Sequence, residues 1–138
     1  MVETGSPKGD GLTNGAEVVH RTRIGQQDVH YGGGLVDGAR ILALFGDAAT
    51  ELMIRTDGDE GLLAAYESVQ FLSPTHPGDF LEVRARLVSV GRRSRRVELS
   101  ADRYIEPDPS SESGTVVLTE PIAVCRAVMI SVVPAPTS

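Results

Sequence analysis

Between residues 28 and 37 the chain reads DVHYGGGLVD, which sets Asp28, His30, Tyr31 and Asp37 around the consecutive glycines Gly32, Gly33 and Gly34. Carboxylate, imidazole and phenol are side chains that carry protons in general acid–base catalysis. Glycine has no Cβ, so a ligand can come up against backbone N–H groups there. An apolar helical pattern follows directly, and its entrance near Gly38 adds unpaired N–H groups and the positive end of a helix dipole. Together these features form a candidate oxyanion hole. A thioester carbonyl placed against them would be polarised, and an enolate formed from it stabilised, by donors that need not move. A plainer account has the glycines turn a corner and Asp37 cap a helix, for which Asp is among the best residues. Asp28, His30 and Tyr31 beside Asp37 exceed what a turn requires.

Along the helical segment, Asp37, Arg40, Asp47 and Glu51 share one side by their spacing. A solvated stripe with an Asp37–Arg40 pair would explain them. On a helix enclosed by protein, however, buried acids need partners or a role. Asp37 and Glu51 are about 21 Å apart at the ordinary rise per residue, so they can serve one site only from two subunits. A second charged cluster, GRRSRR, holds Arg92, Arg93, Ser94, Arg95 and Arg96. Guanidinium forks suit the phosphates of coenzyme A. Charges that keep a sheet edge from aggregating account for the same residues.

The elements that must position these groups can be read from pattern. At 138 residues the chain is long enough for one core but not two. Residues 1–16 show no periodicity and read as a flexible tail, leaving a single domain over 17–138. EVVHRTRIG reads as a first strand. From about Val36 to Ile54 apolar residues recur at helical spacing over most of the circumference, which implies a helix wrapped on several sides. After the turn signal RTDGDEG come the alternating stretches LAAYESVQFLS, DFLEVRARLVSVG and RRVELSADRYIE, then a long run from Thr115 to Val133. In the second of these, Leu81, Val83, Ala85 and Leu87 alternate with Phe80, Glu82, Arg84 and Arg86, as a strand with one buried face requires.

A formal charge of −6, with basic residues concentrated only at 92–96, argues against a nucleic-acid surface. No segment is apolar enough for a membrane span or a secretory signal, so a cytoplasmic protein with no membrane partner is expected. The single cysteine, Cys125, lies in the apolar run IAVCRAVMISVV and reads as a packing residue.

A strand, a loop, one long helix and then antiparallel strands is the element order of an α+β hotdog fold, with a curved antiparallel sheet around a central helix. A homodimer or higher homo-oligomer follows if sheets of two subunits join. Residues 30–95, with YGGGLVDGAR, LFGDAATEL and DGDEGL, resemble the acyl-CoA ammonia lyases of the hotdog superfamily that act on 3-aminobutyryl-CoA and β-alanyl-CoA. The resemblance implies reversible loss of ammonia from a β-aminoacyl-CoA to give the 2-enoyl-CoA, with no metal or organic cofactor beyond the substrate's own coenzyme A. On that chemistry Asp37 is a base or ammonium ligand, His30 and Tyr31 assist it, and Glu51 or Asp47 completes the site across subunits. Hotdog thioesterases have a similar helix, but the GHVNN that precedes theirs is absent. The hydratases' Asp with His five residues on is also absent, because Gly33 stands where Asp28 would demand that His. A non-catalytic acyl-CoA-binding protein would keep the glycines and arginines without needing the acids.

Overall fold

The computed structural model describes residues 15–134. Of the tail expected over 1–16, residues 1–14 lie outside the described residues. Gly15 and Ala16 already belong to the domain: the Gly15 N–H donates to the Leu87 carbonyl and the Leu87 N–H to that of Ala16.

The chain forms β1 (Glu17–Arg23), a short hairpin of β2 (Val29–Tyr31) and β3 (Leu35–Val36), the helix α1 (Gly38–Asp57), and then β4 (Leu62–Phe71), β5 (Phe80–Val90), β6 (Ser94–Pro107) and β7 (Thr115–Val132). The five long strands make one antiparallel sheet in the order β1-β5-β6-β7-β4. The helix lies across it, mainly against β5, with β1 and β6 beside it. This is the hotdog arrangement that the element order implies.

Strand alternation builds the core. Leu81, Val83, Ala85 and Leu87 of β5 are sealed against the helix, as are Val97, Leu99 and Ala101 of β6. From the helix come Ile41, Leu44, Phe45, Ala48, Ala49, Leu52 and Met53, spaced by threes and fours on one face. Cys125 is part of this core, where burial pushes its thiol upward in pKa.

The helix is less enclosed than its composition suggests. Within one protomer a single face is covered, while Ala43, Asp47, Ile54 and Arg55 on the other remain exposed. It also starts later and ends later than the apolar pattern indicates. Val36 is a strand residue, since its N–H donates to the Thr75 carbonyl at 2.9 Å. Asp37 is the N-cap, accepting the Ala39 N–H at 3.0 Å. At the far end Gly58 takes φ 71°, a left-handed conformation that glycine adopts without Cβ strain, and stops the helix after Asp57.

Candidate active site

Both ends of the helix are met by arginines from β6. Residues 95, 97, 99, 101 and 103 share the inward phase of that strand, so Arg95 and Arg103 are carried into the interior at its two extremities. Their surroundings differ in kind.

At the C-terminal end, Arg95 donates to Asp57 through Nε at 3.0 Å and Nη2 at 2.8 Å, and its Nη1 donates to the carbonyls of Gly91 and Ser94. Both partners are almost wholly buried. Arg95 is therefore a structural ion pair and cannot reach the phosphates of a CoA ester, contrary to the expectation from GRRSRR. Arg93 donates to the Val133 carbonyl and Arg96 pairs with Glu67, while Arg92 and Ser94 stay exposed. Alternation and turn geometry scatter the cluster.

At the N-terminal end there is a cleft of about 430 Å³. Its floor is apolar, from Val36, Ile41 and Val124, which are themselves buried. Its lining also includes the more open Tyr31, Gly38, Phe71 and Ser73, and the buried Thr75. Gly38 occupies the first turn of α1, where backbone N–H groups have no helical acceptor. A Cβ there would stand 3.0 Å from Cε1 and Cζ of Phe71, so glycine lets both that ring and a ligand come close to the backbone.

The triple glycine does something else. Gly32–Gly34 form a 3-10 turn with φ of 75° at Gly33 and Gly34, which the β2–β3 reversal needs. None of the three lines the cleft, so of the glycines expected to hold an oxyanion only Gly38 is placed to do so.

The ionisable residues separate into roles. Tyr31 lines the cleft, with the His30 ring packed edge-on 4.6 Å away. His30 Nδ1 is 3.8 Å from Asp37 Oδ2, whereas Asp37 Oδ1 is engaged in capping. One oxygen of that carboxylate thus serves the helix and the other lies toward His30, while Asp37 itself does not line the cleft. Asp28 does not line the cleft; it accepts the Gly25 N–H and pairs with Arg40 at 3.1 Å, in place of the Asp37–Arg40 pair that spacing suggests. Glu51 lies further along the helix, paired with His20 and Arg55 at 2.7 Å each, and Arg55 first, then His20, hold its carboxyl below the usual carboxylate range. Asp47 is exposed and has no ion-pair partner among the described residues. Neither acid reaches the cleft of its own protomer.

Pattern reading overlooked the segment from Ser73 to Asp79. Arg103 secures it, donating from Nη1 to the Pro74 carbonyl at 2.9 Å and to Ser73 Oγ at 3.3 Å, with Nε 3.0 Å from Glu106. Asp79, buried and 4.0 Å from Arg103, accepts the His76 N–H. Burial raises the pKa of that carboxyl despite these contacts. Thr75 in turn anchors Val36 just ahead of the helix. The signal was present: a charged residue in the inward phase of a strand needs partners.

Comparison with known proteins adds to this geometry. Residues 33–103 match the family described as Thioesterase superfamily. The chain is 49% identical over 117 residues to the 3-aminobutyryl-CoA ammonia lyase of Acetoanaerobium sticklandii, spanning 84% of this chain and 93% of that one. Its fold superimposes on the β-alanyl-CoA:ammonia lyase from Clostridium propionicum with a TM-score of 0.83 and 29% identity, covering 91% and 94% of the two chains. A hexameric hotdog fold thioesterase of Campylobacter jejuni shares the fold at a TM-score of 0.69 and 21% identity, over 82% and 79%.

Proposed function

The chain belongs to the thioesterase superfamily of hotdog proteins and, within it, to the acyl-CoA ammonia lyases, and from that premise we propose that it is a carbon–nitrogen lyase interconverting a β-aminoacyl-CoA with the 2-enoyl-CoA and ammonia. The observation that carries this reading is the apolar cleft opening on the helix entrance at Gly38, lined by Tyr31, with the N-cap Asp37 immediately before Gly38 in the chain.

Elimination needs a base for the α proton and donors for the charge that moves onto the thioester oxygen. Asp37 Oδ2 takes the proton while Oδ1 stays on the helix cap. The Cα–H pair becomes the Cα–Cβ double bond through the enolate, whose oxygen rests against the backbone at Gly38. The C–N pair leaves on nitrogen, so the substrate's ammonium departs as ammonia and the proton remains on the base until solvent removes it. His30 and Tyr31 position Asp37 and the acyl group. Neither a metal nor an organic cofactor has a part in this sequence.

The substrate ammonium calls for a second carboxylate, and Asp47 from another copy of the chain suits it, because Glu51 is already engaged. A homo-oligomer is therefore part of the proposal. Among the described residues no helix is long and apolar enough to cross a membrane, and a cytoplasmic site of action fits a CoA ester as substrate.

The test is to mix the protein with crotonyl-CoA and ammonium and follow the enoyl absorbance with a thiol reagent present. Loss of absorbance without thiol release is the expected result. Thiol release would identify a thioesterase instead, and no change of either kind a protein that only binds the ester.

A further inference from the structure

Among the polar groups on the cleft rim, Ser73 has an unusual hydrogen-bonding position. Its Oγ receives an N–H from the Arg103 guanidinium, which also holds the neighbouring Pro74 carbonyl. A hydroxyl has one proton to give, and among the described residues that proton meets no acceptor. The backbone leaves little freedom, since the N–H groups of Leu72 and Ser73 both donate to the Val124 carbonyl. Arg103 is itself flanked by the carboxylates of Glu106 at 3.0 Å and Asp79 at 4.0 Å, although its Nε makes no hydrogen bond among the described residues. One acceptor lone pair of the hydroxyl is thus engaged by a cation, which polarises the O–H that remains to be donated at the mouth of the cleft.

We propose that Ser73 is a substrate-binding residue whose O–H donates to a carbonyl oxygen of the acyl-CoA, and that Arg103 is the positioning residue that orients it. This assignment rests on the cleft being the acyl-CoA site. An acyl-CoA offers two kinds of acceptor near an active-site mouth, the thioester oxygen and the amide carbonyls of the pantetheine arm. Donation to the first would be felt mainly in the transition state, and donation to the second equally in ground and transition states.

The experiment compares Ser73→Ala, Ser73→Thr and Arg103→Lys with the parent in two measurements: equilibrium binding of unreactive butyryl-CoA by calorimetry, and kcat and KM for crotonyl-CoA with ammonium. Donation to an arm amide predicts butyryl-CoA affinity and KM worse by roughly threefold to tenfold in Ser73→Ala, with kcat unchanged. Donation to the thioester oxygen predicts a kcat lower by about 100-fold. In either case Ser73→Thr, which keeps the hydroxyl, stays near the parent. Arg103→Lys moves the same parameter and adds little once Ser73 is alanine, because the two act as one unit.

Unchanged binding and kinetics in Ser73→Ala overturn the assignment, as does full additivity of the Ser73 and Arg103 losses. If the parent binds butyryl-CoA but does not consume crotonyl-CoA, the lyase reading fails, while a roughly threefold to tenfold loss of butyryl-CoA affinity in Ser73→Ala still supports donation to an arm amide and unchanged affinity overturns the assignment.

Discussion

One strand serves the two ends of the helix in opposite ways. Arg95 and Arg103 occupy the same inward phase of β6, eight residues apart, and each finds carboxylates in the interior. Arg95 spends its donors on Asp57 and two backbone carbonyls, and the helix C-terminus is closed around it. Arg103 holds a loop instead of a helix, and that loop borders a cleft. A closed network stabilises the fold, whereas one that leaves a donor facing open space can bind a ligand. Inward charge alone does not distinguish the two; the test is whether any polar group in the network still lacks a partner.

The comparison is broken most forcefully at the closed end. Arg95→Ala would strand the Asp57 carboxylate in a site with almost no solvent. Removing one partner of such a pair costs about 3–5 kcal/mol, and urea denaturation should show a loss of that size. The folded fraction should keep the parent's affinity for butyryl-CoA. Unchanged stability together with weakened CoA-ester binding would reverse the roles of the two ends and restore the phosphate-gripping function that GRRSRR suggests.

Asp37 at the open end sharpens the contrast, because its two oxygens have different duties. Asp37→Ala removes the cap and should lower stability by about 1 kcal/mol. Asp37→Asn keeps an oxygen for the Ala39 N–H, so its unfolding midpoint should stay near the parent's. Turnover of crotonyl-CoA with ammonium should nevertheless fall by about 100-fold or more, as expected when a general base is lost. If the asparagine variant keeps full turnover, Asp37 is a cap and nothing else.

How far these roles could be read in advance depended on the kind of signal each carried. Periodicity found the long strands and the helix because alternation on β5 and the three–four spacing on α1 directly reflect which face is buried. It overstated the wrapping of α1, since Ala43 and Ile54 are apolar yet exposed in the protomer. Local chemistry pointed to the end of the helix where Tyr31 and Gly38 line a cleft. It could not separate Asp28, whose carboxylate is consumed by Gly25 and Arg40, from Asp37, because that depends on how the β2–β3 hairpin folds back. Ser73 and Arg103 lie about thirty residues apart and meet only through tertiary structure.

Glu51 offers the smallest and most specific contrast, an acid on the helix that belongs to neither end. Hydrogen bonds from Arg55 and then His20 lower its pKa in the folded state, so protons bind less readily there than in the unfolded chain. The stabilisation is present at pH values above the unfolded carboxylate's pKa and is lost as pH falls through the lower folded value. Glu51→Gln abolishes that titration. Its unfolding midpoint should therefore decline less between pH 5 and pH 3 than the parent's, with a difference that shrinks as salt is added because the pair is exposed. Turnover at neutral pH should be unchanged, since Asp47 rather than Glu51 has the free carboxylate to offer another subunit. A large loss of turnover in Glu51→Gln, with parent-like acid unfolding, would move the second acid of the site from Asp47 to Glu51 and make its pairing with His20 part of the chemistry.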